Sequence, residues 1–214
     1  NLVWSFLDFF SRVIIAFAAT IIFAKFLSKS DYGILVYANS ILILALTISR
    51  AGMDKIILRD IPLGIKNNQR LLQSGISIIF IFSIFVFIAT ILFFKITENN
   101  LFYFAVISLL ILSNPFSIFE YYQRATLLTK YIFISRFISK LFFLVIIFYI
   151  SYQTKNFIYI AFSYLIENLI FNILLIYFFK KNRKKSILRK FYQNIRNNFD
   201  ESLKVLKRSF IYIV

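Results

Sequence analysis

The chain has 214 residues, 60% hydrophobic and 20% aromatic, with a mean hydropathy of +0.80; soluble domains hold about 45–50% apolar residues, so this composition belongs in a bilayer. It carries 25 Lys and Arg against 9 Asp and Glu, a net charge of +16, yet the basic residues fall between apolar runs rather than on one polar surface, which argues against nucleic acid. With no Cys and no His, disulfides, thiol chemistry, the usual zinc sites and His-based triads are excluded, and four Gly and two Pro leave no Gly-rich phosphate loop or Pro-rich linker.

Six apolar runs follow in order, at 3–27, 34–58, 71–94, 101–124, 132–151 and 157–179, and a seventh opens near Leu203. Each is long enough to cross a hydrocarbon core as a helix, and none shows the period-2 alternation of a barrel strand. The first run is too long for a signal peptide and lacks a small-residue cleavage pattern. The sequence therefore predicts an all-α polytopic membrane protein. Its expected parts are a six-helix lobe over 1–179, a basic amphipathic linker over 180–202 suited to anionic inner-leaflet lipids, and the start of a seventh helix over 203–214. The only Met is Met53, so a processed or partial chain is expected.

Orientation follows from the basic residues. Arg50, Lys55, Arg59, Lys66, Arg70, Arg124, Lys130, Arg136 and Lys140, with the tract from Lys180 to Arg208, place twenty of the 25 cations on one side. Lys25, Lys29, Lys95 and Lys155 lie on the other, and Arg12 lies within the first span. The positive-inside rule then sets the N-terminus in the cytoplasm.

Ionisable groups at depth are the informative exceptions, at about 2.5–3.5 kcal/mol each on insertion scales. In the first span Ser5, Asp8, Arg12, Ala16, Ala19 and Thr20 form one polar, small-residue stripe. Either Asp8 and Arg12 neutralise each other at i,i+4 in a packing face, or Arg12 faces a water-filled lumen and meets an anionic headgroup. Asn114 and Pro115 interrupt the fourth span, with Pro115 a candidate hinge; Glu120 and Arg124 follow as an interfacial ion pair. Arg136 and Lys140 share one face of the fifth span with no acid in that helix, and either snorkel or hold a diphosphate. Glu167, Asn168 and Asn172 make the deepest polar cluster, in the sixth span. Glu167 is either a structural partner of Arg12 or Arg136, or a group that meets a coupling cation or sugar hydroxyls.

The segments AKFLSKSDYGILVYANS and SRAGMDKIILRDIP resemble the polysaccharide flippases of the multidrug/oligosaccharidyl-lipid/polysaccharide exporter superfamily, the O-antigen type. There an "AR-x-LGPEDYG" turn precedes a "GLD-x-x-x-x-RE" segment. Asp31, Tyr32 and Gly33 keep the DYG; Gly52, Met53 and Asp54 stand for Gly-Leu-Asp, and Arg59 and Asp60 for Arg-Glu. FEYYQRATLLTKYIFISRFISK is similar to the family's aromatic-Gln-Gly stretch and Arg-x-x-x-Lys, through Gln123, Arg136 and Lys140; Arg124 departs from the Gly. Gly33 and Gly52 are expected at close turns or packing contacts at helix ends.

The resemblance implies two six-helix lobes around a cationic cavity, with this chain as the N-terminal half and the C-terminal lobe missing. It implies translocation of an undecaprenyl-diphosphate-linked oligosaccharide across the bacterial inner membrane by alternating access, beside other polysaccharide assembly proteins. No covalent chemistry and no cofactor are required, and the coupling ion, proton or sodium, stays open. Arg12, Arg50, Arg59, Arg136 and Lys140 would then attract the diphosphate, while Glu167, Asn168 and Asn172 meet sugar or ion. A drug/cation antiporter of the same superfamily is the alternative, against which the DYG and GMD segments argue. A membrane polysaccharide polymerase or glycosyltransferase is disfavoured by the short external loops.

Overall fold

In a bilayer no water satisfies a free backbone group, so each apolar run must close its hydrogen bonds within itself. The computed structural model of the chain does this with helices alone among the residues it describes, 2–64, 68–97, 101–153 and 157–182. In order these are α1 (Leu2–Phe26), α2 (Lys29–Ser49), the short α3 (Met53–Asp60), α4 (Asn68–Thr97), α5 (Leu101–Leu112), a 3-10 turn (Asn114–Phe116), α6 (Ser117–Ala125), α7 (Thr129–Gln153) and α8 (Phe157–Asn182). Counting α5, the turn and α6 as one span, six stretches are long and apolar enough to cross a membrane. The protein is an all-α polytopic membrane protein. Helix α8 runs on to Asn182, past the expected end at 179; the remainder of the expected linker and the expected seventh helix lie outside the described residues.

The second run differs most from expectation. Helix α2 begins at Lys29 because Ser28 caps it: the Asp31 N–H donates to Ser28 Oγ at 3.1 Å, and that hydroxyl donates to the Asp31 carboxylate at 2.7 Å. The DYG segment is thus the first turn of α2 rather than a turn before it. A Cβ at Gly33 would meet nothing within 4 Å, so Gly33 serves neither a tight turn nor a close packing contact here. Helix α2 stops at Ser49 because Ala51 (φ 50°) and Gly52 (φ 70°) are left-handed, a geometry only Gly takes readily. Residues 53–60 form the separate α3 instead of the end of a span.

Helices α1 and α8 pack on α7, α4 and α8 pack on α5, α2 packs on α4 and α5, and α3 packs on α6. Small buried residues line these seams, Ser135, Ser139 and Ser151 on α7 and Ser163 on α8, letting helices approach closely. Met53, Ile57, Leu71 and Ile118 fill the core where α3, α4 and α6 meet. Phe94 stacks on Phe104 at 4.0 Å in a second core, and Phe23, Leu35, Phe143 and Ile147 form a third. Outward-facing Phe17, Leu44, Phe85, Val145 and Ile173 are exposed, a surface that suits lipid and would aggregate in water. Although consecutive, α1 and α2 scarcely touch, and a cleft separates them.

Candidate functional site

Among the described residues, a network of charges and the α1–α2 cleft are the two polar features with an accessible side. Arg136 of α7 donates to both carboxylate oxygens of Asp8 on α1, at 3.1 and 2.8 Å, and to Glu120 on α6 at 2.6 Å. Arg124 donates to Glu120 at 3.0 and 2.6 Å. Arg12 lies 3.3 Å from the Asp8 carboxylate. Two carboxylates against three guanidiniums leave one positive charge in surplus. Asp8, Glu120 and Arg136 sit between about one and a half and two helical turns in from one end of α1, α6 and α7, roughly 8–10 Å at 1.5 Å per residue.

Burial explains the pairing. An unpaired buried charge costs several kcal/mol, and the planar guanidinium fork can meet two carboxylates at once. The Arg136 side chain is only 12% exposed and also lies over the Phe171 ring, 4.9 Å from its centroid. It does not snorkel: the acids its own helix lacks come from α1 and α6. Glu120 and Arg124 are not an isolated interfacial pair but two members of this network. The side chains of Arg12 and Arg124 are 42% and 34% exposed and form its accessible edge.

Deeper in the bundle Lys140 of α7 donates to Glu167 of α8 at 3.0 Å, so the partner of Glu167 is Lys140 rather than Arg12 or Arg136. The neighbouring amides point to another seam. Asn168 Oδ1 accepts from Ser113 Oγ and from Asn172 Nδ2, at 2.7 Å each, and ties α8 to the end of α5. Pro115 lies in the 3-10 turn between α5 and α6. There buried Asn114 donates to the Leu46 carbonyl at 3.1 Å and to the Ser49 hydroxyl.

The other sequence candidates occupy the α3 side and the helix ends. Arg50 forms the C-cap of α2, with its Nε buried and without a hydrogen-bond partner among the described residues. Arg59 pairs with Asp60 at 2.6 Å, and Asp54 sits in the first turn of α3, where a negative charge favours the helix dipole. Gln123 is buried and donates to the Leu175 carbonyl at 3.1 Å, pinning α6 to α8.

The cleft between α1 and α2 holds about 360 Å³, with α7 and α8 as its floor. Thr20, Tyr32, Asn39, Ser40, Lys140 and Tyr164 supply its polar lining, and Asn39 Nδ2 donates to Tyr164 Oη at 3.3 Å. Arg12, Ala16 and Thr20 recur at i,i+4 on one face of α1, so the edge of the charge network and the cleft wall share a stripe. Asn39 and Ser40 were not singled out as site residues from sequence; an amide and a hydroxyl in the middle of an apolar span were the available signal.

These features define a class: a multi-pass helical membrane protein with a buried charge network and a polar cleft between its first two spans. The chain belongs to the polysaccharide biosynthesis protein family, whose model matches residues 1–214. No curated protein and no solved structure matches it.

Proposed function

We propose that the protein is a flippase that moves an undecaprenyl-diphosphate-linked oligosaccharide across the bacterial inner membrane by alternating access. The observation that carries this reading is the surplus cation of the Asp8–Arg12–Glu120–Arg124–Arg136 network, exposed through Arg124 and through Arg12, which stands on the stripe that leads to the cleft. A diphosphate is a multidentate oxygen ligand, and half-exposed guanidiniums held by a rigid base suit it. Membership of a polysaccharide biosynthesis family supports the saccharide part of the cargo. No residue is asked to make or break a covalent bond. A second lobe from the same polypeptide would close the cavity, and Pro115 would serve as hinge.

The test uses Arg12→Ala and Arg124→Gln in the full-length protein. Both side chains are partly exposed, so membrane insertion is expected to stay at the wild-type level while surface polysaccharide falls. Wild-type surface polysaccharide in both variants would overturn the reading.

A further inference from the structure

Resting on the flippase reading, we infer that the α1–α2 cleft is a separate subsite for an uncharged sugar, distinct from the guanidinium edge that would take the diphosphate. The charges divide this way on their own. The surplus positive charge lies at Arg12, Arg124 and Arg136, whereas Lys140, the only charged residue lining the cleft among the described residues, is already neutralised by Glu167 at 3.0 Å. An anion entering the cleft would meet an ion pair with no net charge and a carboxylate beside it, whereas a neutral polyhydroxyl ligand needs no surplus charge.

The lining has the chemistry such a ligand needs. Tyr32, Tyr164, Phe23 and Phe143 contribute ring surface, and Phe143 and Tyr164 lie 4.8 Å apart, giving the apolar C–H face of a sugar ring something to pack against. Hydroxyls and an amide surround them. Thr20 and Ser40 spend their protons on the carbonyls of Ala16 and Val36, at 2.9 Å each, so their oxygens are left to accept. Lys140 Nζ retains donors beyond the one given to Glu167. The volume of about 360 Å³ lies at the lower end of the small-ligand range of about 300–1,000 Å³.

Position along α1 supports the division. From Arg12 to Thr20 is two turns on one face, about 12 Å. A ligand whose diphosphate sits at Arg12 would therefore lay its first sugars along Ala16 and Thr20, into the cleft.

The test uses full-length protein in detergent, with N,N′-diacetylchitobiose as the neutral saccharide and inorganic pyrophosphate as the anion, both followed by ligand-observed NMR titration. Ala16→Phe fills the cleft, and Tyr32→Ala with Asn39→Ala strips its wall without adding bulk. The saccharide is expected to weaken by about tenfold or more in both variants while pyrophosphate shifts less than about twofold. Should Ala16→Phe fail to fold, the second variant decides alone. Saccharide binding unchanged in the folded variants, or both ligands weakened alike, would overturn the separate subsite. Failure of the flippase reading shows differently: pyrophosphate binding unaffected by Arg12→Ala, with surface polysaccharide intact.

Discussion

Arg136 on α7 holds both carboxylate oxygens of Asp8 on α1, at 3.1 and 2.8 Å, although the two residues are 128 positions apart in the chain. With Glu120 added at 2.6 Å, one guanidinium joins α1, α6 and α7. In a membrane, where apolar burial between helices supplies little driving force, such a tie fixes register as well as position.

Arg136→Leu should therefore be among the most damaging single substitutions in the bundle. It leaves two carboxylates with only the partly exposed Arg12 and Arg124 for partners, and breaking a buried pair costs about 3–5 kcal/mol. Asp8→Asn should cost less, because an amide can still accept from the guanidinium. In a double-mutant cycle on thermal midpoints in detergent, Asp8→Asn with Arg136→Gln should lose less than the sum of the singles. Strict additivity would mean that the two side chains are not coupled.

Much of the architecture was legible in the sequence, for physical reasons. A 20-residue apolar run has one stable form in lipid, so the six spans of the described residues and their order could be read directly. The partners of the deep charges could not. Hydropathy along one helix shows that Arg136 and Lys140 lack an acid nearby, but not that α1, α6 and α8 bring Asp8, Glu120 and Glu167 to them. The Ser28–Asp31 cap was present in the sequence as S-x-x-D, a helix-start signal, and the family-like turn obscured it. Gly52 was noted as a turn residue, yet the apolar run continued past it, so the break into α3 went unread.

A second stability test concerns Gly75 on α4. A Cβ there would sit 2.6 Å from Ile118 Cδ1 and 3.0 Å from Met53 Cε, and both neighbours are fully buried. Two effects oppose each other in Gly75→Ala. Helix propensity favours Ala by about 0.8–1.0 kcal/mol, whereas overpacking a tight core costs about 1–3 kcal/mol. The clash is expected to win, lowering the thermal midpoint. Adding Ile118→Val removes the offending methyl and should recover part of the loss; a double variant less stable than Gly75→Ala alone would contradict that packing.

Orientation can be tested at two chain positions. Asn182 closes α8 at the end of the bundle where α1 begins, and Gln153 closes α7 at the opposite end. The basic residues favour the cytoplasm on the first of these sides. A phosphatase reporter fused after Asn182 should be inactive and one fused after Gln153 active. The reverse pattern would invert the topology and with it the direction of the proposed transport.

Two restraints hold the break between α5 and α6. Proline lacks an N–H and its ring clashes with the carbonyl four residues earlier, which is enough to interrupt a helix. The structure adds a second restraint, because Asn114 reaches across to the Leu46 carbonyl at 3.1 Å and to the Ser49 hydroxyl. Polar bonds between membrane helices average about 0.6 kcal/mol and reach about 1.7, so two of them rival the gain from straightening one turn. Pro115→Ala alone should accordingly leave the break in place, whereas Pro115→Ala with Asn114→Leu should let α5 and α6 merge. Spin labels at Leu109 and Leu127, both exposed, would report this by pulsed dipolar distances. The distance is expected to lengthen only in the double variant. Lengthening in Pro115→Ala alone would assign the break to the proline and reduce Asn114 to a bystander.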